Sequence, residues 1–226
     1  MKPNTSILTI REIRTDDLDQ VTRVHKNAFP CSLLSRFDNR VISTYYRLQM
    51  EPPNKCNPQG VFSADNLVGF CFAGEFRDMK LAFIKSSWPR ILFTLMKKPS
   101  ILLEKENRLR IIGILRSVSH KVFKKKSQKP GLVKSKSKRF GILSIAVDPE
   151  FQRLGVGRML AAQSEDLALK LGFEKISLDV HIDNEKAIHF YESLGYQKII
   201  GNGQDWRGIM IKDLFPSVSD RLADDT

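Results

Sequence analysis

The sequence predicts an α/β (α+β) fold: one domain over residues 1–216, carrying a basic insertion at residues 75–140 and followed by a polar tail, residues 217–226. Three observations carry that prediction. Segments with the two-residue period of strands alternate along the chain with segments of helical period. The helical segments open on capping residues and stop at glycine or proline. The composition, 42% hydrophobic and 27% charged over 226 residues, supports a buried core and excludes broad disorder.

The elements follow in order. Residues 7–13, ILTIREI, alternate partially as a first strand. A helical pattern begins at Asp16 or Asp17, runs through Leu18, Val21, Val24, His25 and Ala28, and is stopped by Pro30. A second helix runs from about Phe37 to Met50, before Pro52-Pro53. In residues 60–74 two apolar runs flank Asp65-Asn66, which is hairpin chemistry. The opening order is therefore β-α-α-β-β.

Residues 75–140 interrupt it. They hold 19 Lys and Arg against 4 Asp and Glu, a net charge of +15, while the remaining residues net −3. Apolar, basic stretches here (LAFIKSSW, RILFTLMKK, ILLEKENRLRIIGILRSV) predict a mostly helical insertion. The run at residues 124–139, rich in Lys, Ser, Pro and Gly, predicts a flexible loop.

Order returns at Phe140. GILSIAV reads as a buried strand, and residues 156–171 as an amphipathic helix with Val156, Leu160, Leu167 and Leu171 on one face and Gly172 as its stop. Ile176, Leu178 and Val180 alternate with Ser177, Asp179 and His181 in the next strand. Asp183 or Asn184 caps a helix carrying Ala187, Ile188, Tyr191 and Leu194, closed by Gly195. The last strands fall at residues 196–200 and 208–211.

Several classes are excluded at this level. The three cysteines, Cys31, Cys56 and Cys71, form no Cys-x-x-Cys pair, which argues against a disulfide scaffold and a structural zinc site; no metal is expected. The start, MKPNTSILTIREIR, is not a secretory signal. No stretch approaches the ~18 uncharged apolar residues of a membrane span. The expected compartment is the cytoplasm.

The segment with most chemistry is IAVDPEFQRLGVGRML, residues 145–160. A buried strand ends at Asp148-Pro149, and the chain passes through Gln152, Arg153, Leu154, Gly155, Val156 and Gly157 into a helix. Such a junction gathers unpaired N–H groups at a helix N-terminus, an anion site reinforced by Arg153 and Arg158. No Gly-Lys-Ser/Thr follows, so it is not a Walker loop; Leu160 stands where a dinucleotide fingerprint needs its third glycine.

Gln152-x-x-Gly155-x-Gly157 after Val147-Asp148-Pro149, with Asn184-x-x-Ala187-x-x-x-Tyr191 and Leu194-Gly195-Tyr196 downstream, resembles the two signatures of the GNAT N-acetyltransferase superfamily. The resemblance covers residues 140–200 strongly and residues 7–74 by element order; it does not reach the insertion. It implies a mixed central sheet with splayed strands, helices on both faces, and acetyl-CoA as acyl donor. By the same resemblance, Ile145, Ala146 and Val147 would bond the pantetheine arm through their backbone. The turn amides from Gln152 through Arg153, Leu154, Gly155, Val156 and Gly157 to Arg158 would hold the pyrophosphate, and Asn184 would touch the cofactor or simply cap its helix. Tyr191 matches the tyrosine that protonates the departing thiolate, or packs the core. Asp179, twelve residues before Tyr191, is the candidate base, directly or, its side chain being short, through a water relay, or else part of a solvated sheet edge. His181 shares its face and has a suitable ordinary pKa.

The implied function is transfer of an acetyl group from acetyl-CoA to a primary amine of a small molecule, such as an amino-sugar nucleotide, by direct attack in a ternary complex. A protein N-terminal or lysine amine is the alternative acceptor. An anionic acceptor suits the +15 insertion, which the sequence places on the acceptor side. A different class of function also stays open: the insertion, with Phe83, Trp88, Phe93 and Phe123 among its cations, as a module for nucleic acid, a membrane surface or a partner.

Overall fold

The computed structural model describes residues 8–76, 80–104, 108, 111–112, 140–200 and 205–215. The expectations for Ile7, for Phe123, for the basic loop at residues 124–139 and for the tail lie outside the described residues, as does most of the helical stretch expected after Glu104.

Among the described residues, seven strands form one mixed sheet: β1 (Leu8–Glu12), β2 (Lys55–Ser63), β3 (Asn66–Glu75), β4 (Phe140–Val147), β5 (Lys175–Asp179), β6 (Gln197–Lys198) and β7 (Ile209–Asp213). Their order is β1-β2-β3-β4-β5-β7-β6. Every pairing is antiparallel except β4 with β5. β3 is buried on both faces over most of its length, so it reads as a continuous apolar run instead of alternating.

Helices cover both faces. On one, α1 (Leu18–Ala28) and α2 (Asn39–Met50) close a core of Leu18, Val21, Val24, Ile42, Tyr46, Phe62, Phe70 and Phe72. On the other, α5 (Val156–Lys170) and α6 (Glu185–Glu192) close a core that includes Val61, Val68, Cys71, Val156, Leu160, Ile176, Leu178, Tyr191 and Met210. α2 starts at Asn39, two residues after the expected start, because the Asp38 carboxylate caps it by accepting from the Val41 N–H at 3.0 Å. Gly172 and Gly195 take left-handed φ values of +78° and +87° and terminate α5 and α6 as expected.

Three expectations need correction. The hairpin turn is Ala64-Asp65, not Asp65-Asn66: Asn66 already pairs with Ser63. β2 begins at Lys55 and runs through Pro58. Pro58 is tolerated because its carbonyl accepts from the Ile13 N–H, so its missing donor faces the side where β1 has ended at Glu12. In the insertion, the two apolar stretches separated at Pro89 are one helix, α3 (Lys80–Lys97), followed by the short α4 (Ser100–Leu103). Pro89 deprives the Lys85 carbonyl of its donor, and both residues are exposed, so water can replace it. α3 packs on α2, with the Phe83 and Tyr45 rings edge to face at 5.5 Å.

The feature that positions the site is a parting of strands. β4 pairs with β5 only where Phe140, Gly141 and Ile142 face Ile176, Ser177 and Leu178. The β3–β4 register then slips between Phe72 and Ala73, leaving Leu143 as an extra residue. Beyond this bulge β4 stays with β3, while the chain leaving β5 follows β7: the Val180 N–H donates to the Gly208 carbonyl at 2.8 Å.

Gly208 is where that contact is tightest. A Cβ there would lie 2.2 Å from the Val180 carbonyl oxygen, at φ +89°. Gly172 has a similar φ of +78° with nothing within 4 Å of its Cβ position. In urea denaturation, Gly172→Ala should therefore cost about 1–2 kcal/mol, the left-handed penalty alone. Gly208→Ala should cost about 3 kcal/mol or more, because backbone must move as well.

Candidate active site

The parted strands enclose a groove of about 880 Å³. One wall is β4 from Ile142 to Val147; the other is the end of β5 and its continuation, Leu178 to His181. The turn after β4 closes one end with Gln152, Arg153, Gly155, Gly157 and Arg158. α6 contributes Asn184, Lys186, Ala187, Phe190 and Tyr191, and the C-terminus of α1 adds Ala28 and Phe29.

Ser144, Ile145, Ala146 and Val147 have no strand partner on the β5 side, so that edge of β4 offers backbone groups to the groove. The Val147 carbonyl is an exception, since it accepts from the Gln152 side-chain amide at 3.2 Å.

The backbone of the turn is shaped to suit an anion. The first helical hydrogen bond of α5 runs from the Met159 N–H to the Gly155 carbonyl. Among the described residues, the N–H groups of residues 153–158 donate to no protein acceptor. Arg153 and Gly155 are both left-handed, at φ +64° and +81°, which bends successive amides into a concave nest. Gly155 is required by that φ; nothing lies within 4 Å of its Cβ position. Gly157 fits close packing, since a Cβ would stand 3.2 Å from the Phe190 ring. Two predicted side chains do not reach the groove. Val156 points into the core and is 1% exposed, and Leu154 points to solvent, so only their amides are available.

The turn is anchored from a distance. The buried Asp148 carboxylate accepts from Arg23 Nη1 and from Asn27 Nδ2, each at 3.0 Å, and the Asp148 N–H donates to the Val68 carbonyl. Arg23 Nη2 also donates to the Leu67 carbonyl at 2.6 Å. Asp148 thus ties α1, β3 and the turn into one unit. Arg158 donates to the Ser193 hydroxyl at 3.1 Å, joining α5 to the end of α6.

The proposed chemical groups gather on the opposite wall. Tyr191 is 7% exposed and lines the groove; burial raises its phenol pKa, so the hydroxyl keeps its proton. No hydrogen bond among the described residues engages that hydroxyl. Asp179 ends β5, exposed, paired in register with Ile209. His181 is exposed beyond the strand end, its Nδ1 3.5 Å from Asp183 Oδ2. The Asn184 side chain caps α6 by accepting from the Ala187 N–H at 3.2 Å, and still lines the groove. Burial pushes the Cys71 thiol up to about 12, so it stays protonated.

Sequence reasoning missed a buried polar chain that reaches the groove. His25 Nδ1 shares a hydrogen bond of 2.8 Å with the Tyr46 hydroxyl, which shares one of 3.2 Å with the hydroxyl of Ser144 on β4. Its members lie far apart in sequence. Phe29, Lys186 and Phe190 were likewise unmarked by any motif.

Comparison with known proteins adds the following. A model of the acetyltransferase (GNAT) family matches residues 32–196. The [Ribosomal protein bS18]-alanine N-acetyltransferase of Salmonella typhimurium is 44% identical over 57 residues, which is 25% of this chain and 38% of that protein. The match therefore spans well under half of that relative. Among solved structures, the ribosomal-protein-S18-alanine N-acetyltransferase from Escherichia coli superposes with a TM-score of 0.54 at 16% identity, covering 93% of this chain and 96% of the other. PaiA N-acetyltransferase from Thermoplasma acidophilum, in complex with coenzyme A, gives 0.51 at 15% identity, covering 91% and 98%.

The buried chain has a consequence for stability. Burial pushes His25 down to about 4, from an ordinary value of 6.5. The fold holds the neutral imidazole, so its contribution is complete above pH 6.5 and is lost as pH falls toward about 4. Urea midpoints measured across that window should fall less steeply for His25→Gln than for the parent.

Proposed function

The chain belongs to the acetyltransferase (GNAT) family, and on that premise we propose that it moves an acetyl group from acetyl-CoA to the N-terminal amine of a protein. The observation that carries the reading is the unpaired stretch of β4 ending in a nest of free amides. Those residues fit the donor: backbone groups with no partner suit an amide-bearing pantetheine arm, and the nest with Arg153 and Arg158 suits a pyrophosphate.

When bound, acetyl-CoA supplies the acyl group as an activated thioester. The amides of residues 153–158 would hold its phosphates. Ser144, Ile145 and Ala146 would align its arm along β4, with a strand N–H polarising the acyl oxygen. Tyr191, kept protonated by burial, would give its proton to the leaving sulfur. Asp179, exposed at the mouth, would take the acceptor's proton through a water, with His181 beside it.

A peptide amine displaces the small-molecule amine as the favoured acceptor. The support is the 44% identity to an enzyme named for acting on an alanine of a ribosomal protein. An open mouth, with Asp179 and His181 exposed, also suits a chain end whose remainder stays outside. An acceptor of that kind sets the reaction in the cytoplasm. Among the described residues, no helix is long and apolar enough to cross a membrane. No described residue of α3 or α4 lines the groove, which supports a role for that part of the insertion apart from acceptor binding.

Thiol release from acetyl-CoA over an amine panel tests the acceptor. Peptides with a free N-terminus should react fastest, ahead of N-terminally blocked lysine peptides, polyamines and amino-sugar nucleotides. A small amine reacting fastest would return the acceptor to the metabolite class.

Point variants test the roles. Tyr191→Phe should lower kcat by roughly 10²–10⁴-fold while coenzyme A affinity holds. Asp179→Asn should lose turnover at neutral pH and recover partly at higher pH, where more amine is already neutral. Gly155→Glu puts a carboxylate at the nest and strains its φ; calorimetry should show acetyl-CoA binding weakened roughly 100-fold, about 2.7 kcal/mol.

A further inference from the structure

The described part of the insertion bears a surface that lies outside the groove. α3 turns its inner face to the domain: Phe83 packs on Tyr45, and Ser87 is buried. Its outer face is apolar. Trp88, Leu92 and Met96 recur every four residues, one above the next, and are 55%, 47% and 73% exposed; Phe93 beside them is 56% exposed. On the following α4, Leu103 is 81% exposed. Exposed large apolar side chains occur elsewhere too, but on α3 four of them stand together along one helix face, which scattered surface residues do not explain.

Exposed cations accompany this face. Lys85, Arg90, Lys97 and Lys98 are all exposed, and the Lys97 ammonium stands 4.5 Å from the centre of the Phe93 ring. The acidic side chain in residues 80–104 is Glu104, which accepts from Arg36 at 3.2 Å. The whole insertion carries +15. A partner must offer hydrocarbon and negative charge side by side over a helix length. Nucleic acid offers phosphate but no hydrocarbon for Leu92 or Met96. An anionic phospholipid surface offers both: acyl chains for the stripe, headgroups for the cations flanking it.

We propose that the outer face of α3 seats the protein on an anionic phospholipid surface, with Trp88, Leu92, Phe93 and Met96 in the interfacial zone and Arg90, Lys97 and Lys98 against the headgroups. The helix lies on the membrane; it does not cross it.

Cosedimentation of the full chain with lipid vesicles tests this. It should pellet with phosphatidylcholine vesicles containing phosphatidylserine, stay in solution with phosphatidylcholine alone, and release as salt rises. In a Trp206→Phe background, Trp88 emission should shift to the blue on binding. Leu92→Glu/Met96→Glu replaces exposed residues, so the fold should survive by circular dichroism, while the partition coefficient falls roughly 10-fold or more. Lys97→Gln/Lys98→Gln should weaken binding without altering the apolar stripe. Acetylation of a soluble peptide should be unchanged in both, since neither touches the groove. No pelleting with the anionic vesicles overturns the proposal. So does undiminished binding of Leu92→Glu/Met96→Glu, which would reduce the contact to non-specific charge. Binding to RNA or to an acidic protein in place of vesicles would assign the face to that partner instead.

Discussion

The site depends on one constraint: β4 can bond to β5 for only three residues before the two strands must part. The extra residue Leu143 breaks the register against β3 at that point. On the far side, the close approach of Gly208 to Val180 draws the continuation of β5 toward β7. Both strands are thus committed elsewhere, and the gap between them is held open by hydrogen bonds on its outer flanks. A closed sheet would have consumed the backbone groups that the groove now presents.

The end of that gap is fixed by charge. Asp148 is buried, and a buried carboxylate is tolerable only when paired and hydrogen-bonded. Arg23 and Asn27 from α1 satisfy it, so α1 cannot shift without exposing an unpaired charge. Because α1 also sends Ala28 and Phe29 to the groove, one ion pair ties the amide nest to the helix end that lines the opening beside it.

Much of this was legible in the sequence wherever the cause is local. A strand ending in Val-Asp-Pro, two glycines and a helix could be read directly, and so could the helix ends at Asn184, Gly172 and Gly195. The reasons were less legible than the positions. Gly155 and Gly157 look alike in sequence, yet one answers to a left-handed φ and the other to the Phe190 ring from a later helix. The partners of Asp148 lie more than a hundred residues upstream, so no window of sequence contains the pair. The His25–Tyr46–Ser144 chain was hidden for the same reason, each member looking like an ordinary core or strand residue by itself. Pro89 misled in the other direction: proline suggests a break, but at an exposed position water repairs the loss.

The insertion leaves the sheet at the end of β3 and returns at the start of β4, and these strands are antiparallel neighbours with Gly74 opposite Gly141. Its two ends are therefore held side by side, like the stem of a hairpin whose loop has been extended. Closing such a loop costs free energy that grows only with the logarithm of its length. Residues can be added, lost or exchanged there while the strand register, the parted strands and the amide nest stay as they are. Such a graft point lets the groove and the surface around it change independently of each other.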